Sequence, residues 1–386
     1  PLLYQVATAA LSPGEIAMPI RRVFRHARNI DVVLGEVMSI DTARKAVVLR
    51  DGEVPYDRLV VATGATHAYF GHDEWERHAP GLKSLEDALE IRRRVLLAYE
   101  AADREPDPEL RKAWMTFVVV GAGATGVELA GALTEIARNV LRRDFRHIDP
   151  ASARVLLVEA GPRVLSAFSE PLSADAAKRL AKMGVELSFG VPVTAIDAEG
   201  VTLGASKIRA RTVVWAAGVA ASPLAKTLGV PLDRAGRVAV EKDLSITGHS
   251  DVFVIGDLAA VKWGDKLVPG VAPAAIQGGR FVARQLLREA KGQPREEFRY
   301  FDKGSMATIG RAAAVAETKG IRLTGFIAWL AWLFVHIMYL IGFRNRVAVV
   351  AEWAWMYARW ERGARLITGE VRELVEPKGD ASKPRS

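Results

Sequence analysis

The chain has 386 residues, half of them hydrophobic and a quarter charged, and it carries a net charge of +8 without a single cysteine. This length suits two or three domains, and the composition excludes a disordered chain. The lack of cysteine excludes disulfides, thiolate nucleophiles and iron–sulfur clusters within this chain, and the scattered basic residues argue against nucleic acid as a partner.

The first hundred residues alternate short apolar runs with turn signals. Asp51-Gly52 lies between two apolar runs, which predicts a β-hairpin. The run "LVVATGA", residues 59–65, predicts a buried strand that ends in small residues. Residues 84–104 predict an amphipathic helix, and "EPDPE" after it predicts a linker.

From Phe117 the sequence "FVVVGAGATGVELAG" predicts a strand, a glycine-rich turn and a helix. Gly121, Gly123 and Gly126 have the spacing of a dinucleotide clamp, in which they permit a tight turn, close approach to a pyrophosphate and close helix packing. The free N–H groups of the helix N-terminus then bind the phosphates. The alternative is a structural glycine-rich turn in an unrelated α/β fold.

Glu159 ends the next predicted strand, "ARVLLVEAG". An acid at this point accepts hydrogen bonds from the ribose hydroxyls and repels a 2′-phosphate, so it favours NADH over NADPH. Further strands and helices follow in "DAAKRLAKMGVELSFG", "RTVVWAAGV", "DVFVIGDLA" and residues 274–290. Their alternation predicts a parallel sheet with covering helices, with an inserted unit at about 113–240.

Two short segments are typical of flavoproteins. Gly256-Asp257 follows a strand, where the Asp of a flavoprotein holds the ribityl chain of FAD, and Thr63-Gly64 follows "LVVA". Because no metal-ligand motif is present either, an organic cofactor is the natural hydride acceptor. The sequence from Pro1 reads as mid-protein, so we expect the glycine turn for the FAD pyrophosphate to precede it.

An apolar segment, "GFIAWLAWLFVHIMYLIGF", covers residues 325–343. A helix of this length is about 28 Å long against a bilayer core of about 30 Å, so a single crossing just fits. Tryptophans and nearby arginines instead suit helices lying at the interface, the arginines being Arg344, Arg346, Arg359 and Arg362. A buried core helix is a third alternative. His336 is expected to be a packed residue, so proton pumping is not expected.

Seven segments in order resemble the type II NADH:quinone oxidoreductases of actinobacterial type. They are "LLYQVATAALSPGEIA", "VVGAGATGVELAG", "FRHIDP", "VFVIGDLAAV", "VPGVAPAAIQGGRFVA", "YFDKGSMATIG" and the apolar segment. The resemblance extends to about residue 360. It implies an α/β flavoprotein with two Rossmann-like dinucleotide-binding domains and a C-terminal helical membrane-binding region. The domains would be 1–112 with 241–320 for FAD, 113–240 for NADH, and 321–386 at the membrane.

The resemblance also implies roles for particular residues. Ala217 and Gly218 would lie beside the nicotinamide, and Glu128 would be the acid between nicotinamide, flavin and quinone. The local sequence alone gives Glu128 a simpler role, stabilisation of a helix N-terminus. Gln277 and Lys303 would belong to the quinone cavity. No metal is implied.

One departure from the family concerns the quinone motif. The family's Ala-Gln-x-x-x-Gln reads "APAAIQ" here, so Pro273 replaces the first glutamine. Proline has neither a side-chain amide nor a backbone N–H, so we expect changed quinone contacts.

In function, the resemblance implies two-electron transfer from NADH through FAD to menaquinone or ubiquinone. The protein would be a homodimer, attached to the cytoplasmic face of the cell membrane and monotopic rather than spanning. Two alternatives remain open. One is a soluble pyridine nucleotide-disulfide or ferredoxin reductase, and the other is a non-enzymatic, nucleotide-sensing membrane protein.

Overall fold

A computed structural model describes residues 2–359 and 362–368, and their contacts form two compact units. The first unit comprises the described parts of Pro1–Val23, Tyr69–Gly218 and Ser305–Ser386, and the second comprises Phe24–Ala68 and Val219–Gly304. These bounds differ from the cofactor domains expected above, because both end segments of the described chain pack with the glycine-turn region. Which cofactor each domain binds stays a prediction.

The first unit is built on a four-stranded parallel sheet. Across the sheet the strands lie in the order Thr212–Trp215, Thr116–Val120, Arg154–Glu159 and Val185–Phe189. In chain order this is fourth, first, second, third, the order of the first four strands of a dinucleotide-binding fold. The first strand is buried along its whole length, which fits its unbroken apolar sequence.

Helices cover this sheet where the sequence predicted them. The predicted helix at 84–104 is observed at Leu85–Arg104, and Ser84 and Asp87 form a capping box at its start. Ala124–Glu135, the glycine helix, follows the glycine turn and continues as a π-helical turn, Ile136–Val140. The remaining helices of this part of the unit are Pro108–Trp114 and Glu170–Met183, with three short ones near the N-terminus at Leu3–Ala7, Pro13–Ile16 and Ile20–Val23.

Two antiparallel sheets complete the first unit. One consists of Val193–Asp197, Gly200–Leu203 and Ser206–Arg209, and the other of Ser305–Thr308, Ala314–Thr318 and Ile321–Thr324. The largest hydrophobic core of the described residues lies in this unit, and it joins residues from the N-terminal helix, the glycine helix and the C-terminal helices.

The second unit contains the predicted hairpin. Ala46–Leu49 pairs with Gly52–Pro55 across Arg50 and Asp51, and Val37–Asp41 extends the sheet. A mixed sheet places His249–Val254 between Ser245–Ile246 and Leu59–Val61. The predicted helix at 274–290 is observed at Ala272–Glu289. Short paired strands make up the rest: Ala65–His67 with Val219–Ala221, Val238–Ala239 with Ala259–Ala260, and Lys262–Trp263 with Lys266–Leu267.

The apolar segment forms one helix that ends before the segment does, and a second helix begins at its last residue. The first apolar helix is Gly325–Tyr339 and the second is Phe343–Arg359. Leu340 is extended and Gly342 has a φ of 89°, a left-handed conformation that ends the helical path. Within residues 2–359 and 362–368, no helix combines the length and the apolarity that a bilayer crossing needs.

Candidate functional site

The glycine turn has the geometry that its spacing predicts. Gly121 has a φ of 101°, and a Cβ there would lie 2.5 Å from backbone atoms of Ala216 and Ala217. A Cβ on Gly126 would lie 1.8 Å from the carbonyl oxygen of Gly121. Both positions therefore require glycine for packing within the protein. Gly123 is different, because a Cβ there would meet nothing within 4 Å.

Gly123 is the N-cap of the glycine helix. Since no protein atom explains this glycine, it fits the second glycine of a clamp, whose missing side chain lets a pyrophosphate approach the backbone. The helix N-terminus behind it presents backbone N–H groups in the direction of the turn. The residues of this turn are therefore compatible with a bound dinucleotide.

Glu159 lies at the end of the second strand, beside the turn. Its carboxylate accepts hydrogen bonds from Ala122 N–H at 2.7 Å and from Gly161 N–H at 2.9 Å. These two bonds fix the Glu159 side chain next to the glycine turn, beside Ala122. A carboxylate has about four acceptor positions, so it retains capacity for ribose hydroxyls.

Ala217 and Gly218 adjoin the same turn from the other side. They follow the fourth strand, where Ala216 N–H donates to the carbonyl of Val120 at 2.7 Å. The strand order of the sheet reverses between the first and fourth strands. Such folds bind their ligands at this switch point. The structure thus brings the glycines, Glu159, Ala217 and Gly218 together.

Glu128 lies on the second turn of the glycine helix and is only 9% exposed. Its Oε1 accepts the backbone N–H of Thr308 at 3.3 Å, and the Thr308 side chain adjoins the carboxyl in the same cavity lining. Burial raises the pKa of Glu128 to about 8, against an ordinary value of 4.5, and the Thr308 bonds oppose this effect. A buried acid that is neutral at pH 7 gains little from the helix dipole, so helix-end stabilisation does not explain Glu128.

The surroundings of Glu128 were not visible in the sequence. Tyr4, Thr308 and Trp332 line with it a cavity of about 40 Å³, to which Glu135 and Arg362 also contribute. Glu135 and Arg362 form a buried ion pair, with 3.0 Å between Nη2 and Oε2, and Arg362 Nη1 donates to the carbonyl of Thr8 at 2.6 Å. The expectation that Arg362 lies at a membrane interface is therefore wrong.

The flavin-type residues meet in the second unit. Leu59–Val61 and Val252–Val254 run parallel in register, so Thr63-Gly64 and Gly256-Asp257 emerge at the same end of the sheet. Gly64 has a φ of 68° and Gly256 one of 69°, a region that favours glycine. A Cβ on Gly64 would meet nothing within 4 Å. Bare backbone beside a carboxylate suits close approach of a ribityl chain and its phosphate.

Gln277 is fully engaged with the protein backbone. Its Nε2 donates to the carbonyl of Phe301 at 3.0 Å, and its Oε1 accepts the N–H of Phe301 at 2.9 Å. It therefore fixes the segment that also contains Lys303, whose side chain is exposed. Pro273 lies in the first turn of its helix, where a backbone N–H has no intrahelical partner.

The two apolar helices present an exposed apolar face. On the first helix this face is formed by Phe326, Ile327, Leu330, Phe334 and Met338, and on the second by Phe343, Val347, Val350 and Trp355. The opposite faces pack together through Trp332 and Trp353, with 5.6 Å between ring centroids.

Two polar side chains of these helices hydrogen-bond to backbone carbonyls and do not belong to the exposed apolar face. Arg346 donates to the carbonyls of Leu340 and Met338, at 2.8 and 3.0 Å, and so caps the first apolar helix. His336 Nδ1 is 2.7 Å from the Trp332 carbonyl, and burial lowers the pKa of His336 to about 4. Its contacts are those of a packed residue.

Two family profiles match the chain. The profile described as pyridine nucleotide-disulphide oxidoreductase matches residues 1–279, and the one described as NDH2 C-terminal domain matches residues 303–358. Two type II NADH:quinone oxidoreductases of Mycobacterium tuberculosis, Ndh and NdhA, are 48% and 46% identical over 96% of this chain and 82% of each relative.

Solved structures with the same fold have much lower identity. NDH2 from Plasmodium falciparum in complex with NADH superposes with a TM-score of 0.85 at 18% identity, over 93% of this chain and 91% of that one. The sulfide:quinone oxidoreductase of Aquifex aeolicus superposes with a TM-score of 0.71 at 18% identity, over 90% of this chain and 82% of that one. At such identities the likeness shows the fold alone.

Proposed function

The chain belongs to the type II NADH:quinone oxidoreductases, and on that premise we propose that Glu128 supplies a proton for quinone reduction. The protein is an FAD-dependent NADH dehydrogenase that reduces a quinone without pumping protons. When bound, FAD accepts a hydride from NADH and passes two electrons to the quinone. The soluble reductases and the non-enzymatic sensor are thereby set aside.

NADH binds at the glycine turn in this proposal. Gly123 lets the pyrophosphate approach the N-terminus of the glycine helix, and Glu159 accepts the ribose hydroxyls. Ala217 and Gly218 border the nicotinamide. The open position of Gly123 supports this assignment, since packing within the protein gives no reason for a glycine there.

FAD binds in the second unit at the shared strand ends. Asp257 accepts hydrogen bonds from the ribityl hydroxyls, while Thr63, Gly64 and Gly256 offer backbone and hydroxyl groups to the nucleotide. The parallel register of the two strands supports this assignment, because it delivers both segments to one edge of the sheet.

The burial of Glu128 is the observation that carries the catalytic proposal. Because its pKa is about 8, the carboxyl holds a proton at pH 7 and yet releases it at a small energetic cost. Quinone reduction consumes two electrons and two protons; one of the hydrogens comes from NADH through the flavin, and a neutral acid would supply the second proton. Gln277 has a positioning role here: it holds the segment of Phe301, and with it Lys303.

Stopped-flow measurements of the two half-reactions test the role of Glu128. Glu128→Gln keeps the shape and removes the proton. We expect flavin reduction by NADH to stay within about twofold of wild type, and reoxidation by a quinone to slow by about a hundredfold, the usual range for losing an acid. Glu100→Gln, an exposed glutamate in the same unit, is the matched control. Equal rates of reoxidation in both variants would refute the role.

The protein is membrane-associated like its family, and we place the attachment on the exposed apolar face of the two helices. The face lies in the plane of one leaflet, on the cytoplasmic side, and the quinone enters from it. Phe334→Asp together with Phe343→Asp should abolish co-sedimentation with liposomes without changing NADH binding. Undiminished co-sedimentation would locate the attachment elsewhere.

A homodimer is part of the same proposal, and sedimentation equilibrium in detergent tests it.

A further inference from the structure

A chain of buried side chains leads to Glu128 from the second apolar helix. Trp353 Nε1–H donates to Gln5 Oε1 at 2.7 Å, and Gln5 Nε2 donates to the hydroxyl of Tyr4 at 3.0 Å. The Tyr4 hydroxyl lies 3.0 Å from Thr308 Oγ1, and the Thr308 side chain reaches the Glu128 carboxyl. All five side chains are buried. We call Trp353, Gln5, Tyr4 and Thr308 the donor chain.

The direction of the donor chain is fixed by chemistry when Glu128 is ionised. An indole N–H can only donate, so the amide oxygen of Gln5 must face Trp353 and its nitrogen must face Tyr4. At the other end an ionised carboxylate can only accept, so the single hydroxyl proton of Thr308 points to Glu128. The oxygen of Thr308 must then accept the hydroxyl proton of Tyr4. Each donor thus strengthens the next one toward Glu128.

The donor chain is not a route for protons. It ends at a buried indole, which has one N–H and no acceptor atom. No proton can enter there from solvent, so the role of these residues is electrostatic and geometric. Their three hydrogen bonds hold the Thr308 hydroxyl beside the carboxyl, next to the backbone N–H of Thr308 that donates to it.

We propose that the donor chain stabilises the negative charge left on Glu128 after it has given its proton to the quinone. Tyr4, Gln5 and Trp353 are positioning residues that act through Thr308. The proposal rests on the proton role of Glu128 given above. It also links the membrane face to the site, because Trp353 lies on the second apolar helix, whose outer face carries Val347 and Trp355.

Other charged and titratable groups around the same cavity stay constant in the test. They are Glu135 on the glycine helix, Arg311 and Arg362 on the later segments, and Tyr357 on the second apolar helix. Glu135 is neutralised by Arg362, and Arg311 donates to the carbonyl of Tyr357. None of these groups is replaced in the variants of Tyr4 or Thr308, so they are the same in the wild type and in every variant that is compared.

Infrared titration of the protonated Glu128 carboxyl tests the donor chain directly, with the band assigned by its loss in Glu128→Gln. Thr308→Val removes the last donor, and we expect the apparent pKa of Glu128 to rise by about one pH unit. Tyr4→Phe should raise it by less, because Thr308 keeps its proton and loses only its orientation. The double variant should match Thr308→Val alone, since Tyr4 acts only through Thr308.

Three further variants keep the test decisive. Tyr99→Phe changes a buried tyrosine outside the donor chain and should leave the titration unchanged. Thr308→Ser should restore the wild-type titration, and Trp353→Phe should shift it upward even if Thr308→Val fails to fold. The proposal is overturned if Tyr4→Phe titrates like Tyr99→Phe, or if the shifts of Tyr4→Phe and Thr308→Val simply add.

The infrared and kinetic results separate the two proposals. If the titration shifts as expected while Glu128→Gln reoxidises at the wild-type rate, the proton role of Glu128 is refuted, and only the effect of the donor chain on the ionisation of Glu128 stands, without a part in quinone reduction. If Glu128→Gln is slow but the titration never shifts, the donor chain alone is refuted.

Discussion

Glu128 should make the folded protein less stable as the pH rises. Its pKa is about 8 in the folded chain and close to its ordinary value of 4.5 in the unfolded chain. The unfolded state therefore loses its proton first, and the free energy of unfolding falls from pH 4.5 upward until the folded pKa is passed. At about 1.4 kcal/mol per pH unit, the full loss is about 5 kcal/mol. About 2 kcal/mol of this stability has already been lost near pH 6.

Glu128→Gln removes this dependence, because glutamine has no charge at any pH. The difference in unfolding free energy between Glu128→Gln and wild type should grow by about 3 kcal/mol between about pH 6 and about pH 9, in favour of the variant. Urea unfolding at both pH values, followed by tryptophan fluorescence, measures it. Glu100→Gln again serves as the control, since Glu100 is exposed. A difference that stays constant over this range would show that Glu128 is not a neutral buried acid.

Three other predictions concern separate parts of the chain. Gly126→Ala should lower the free energy of unfolding, measured in urea, by about 3 kcal/mol or more. Gly123→Ala should change this free energy by less than about 1 kcal/mol but weaken NADH binding, measured by calorimetry, at least about tenfold. Similar effects of both variants would contradict the clamp geometry. Glu135→Gln should cost about 3–5 kcal/mol, because it leaves the Arg362 charge buried without its partner, and a smaller loss in urea would show that the pair is solvated. Gln277→Ala should raise the KM for quinone by about threefold or more, since it releases the backbone of Phe301, and leave flavin reduction unchanged; slower flavin reduction would argue against this.

The elements around the glycine turn could be predicted because their signals are local. Strand, turn and helix each lie within a few residues of one another, and the steric demands on Gly121 and Gly126 are read from spacing alone. The helices predicted at 84–104 and 274–290 are observed at Leu85–Arg104 and Ala272–Glu289, because their sequence patterns are local as well. Gly342 was a local signal that the helix breaks inside the apolar segment, but the length and apolarity of the whole segment favoured a single helix.

The contacts around Glu128 could not be predicted, because they join distant parts of the sequence. Tyr4, Thr308 and Trp353 lie far apart along the chain, and nothing local indicates that they share one network. Arg362 shows the same limit. Its sequence neighbours are tryptophan and charged residues, which suited an interface, but Glu135 and the carbonyl of Thr8 hold it inside the protein. Burial depends on the tertiary fold, so the sequence around an arginine does not distinguish a membrane interface from the protein interior.

The hydrogen bond between Gln5 and Trp353 spans 348 positions of the chain. During translation, at about 5–20 residues per second, the N-terminal helix therefore waits roughly 20–70 s for its partner to leave the ribosome. In that time the apolar side of Leu3–Ala7 has no C-terminal helix to pack on, and the acid of the glycine helix lacks its donors. The packing of the first unit is completed only late in synthesis, so a ribosome that stalls before the second apolar helix leaves a chain in which Gln5 still lacks Trp353.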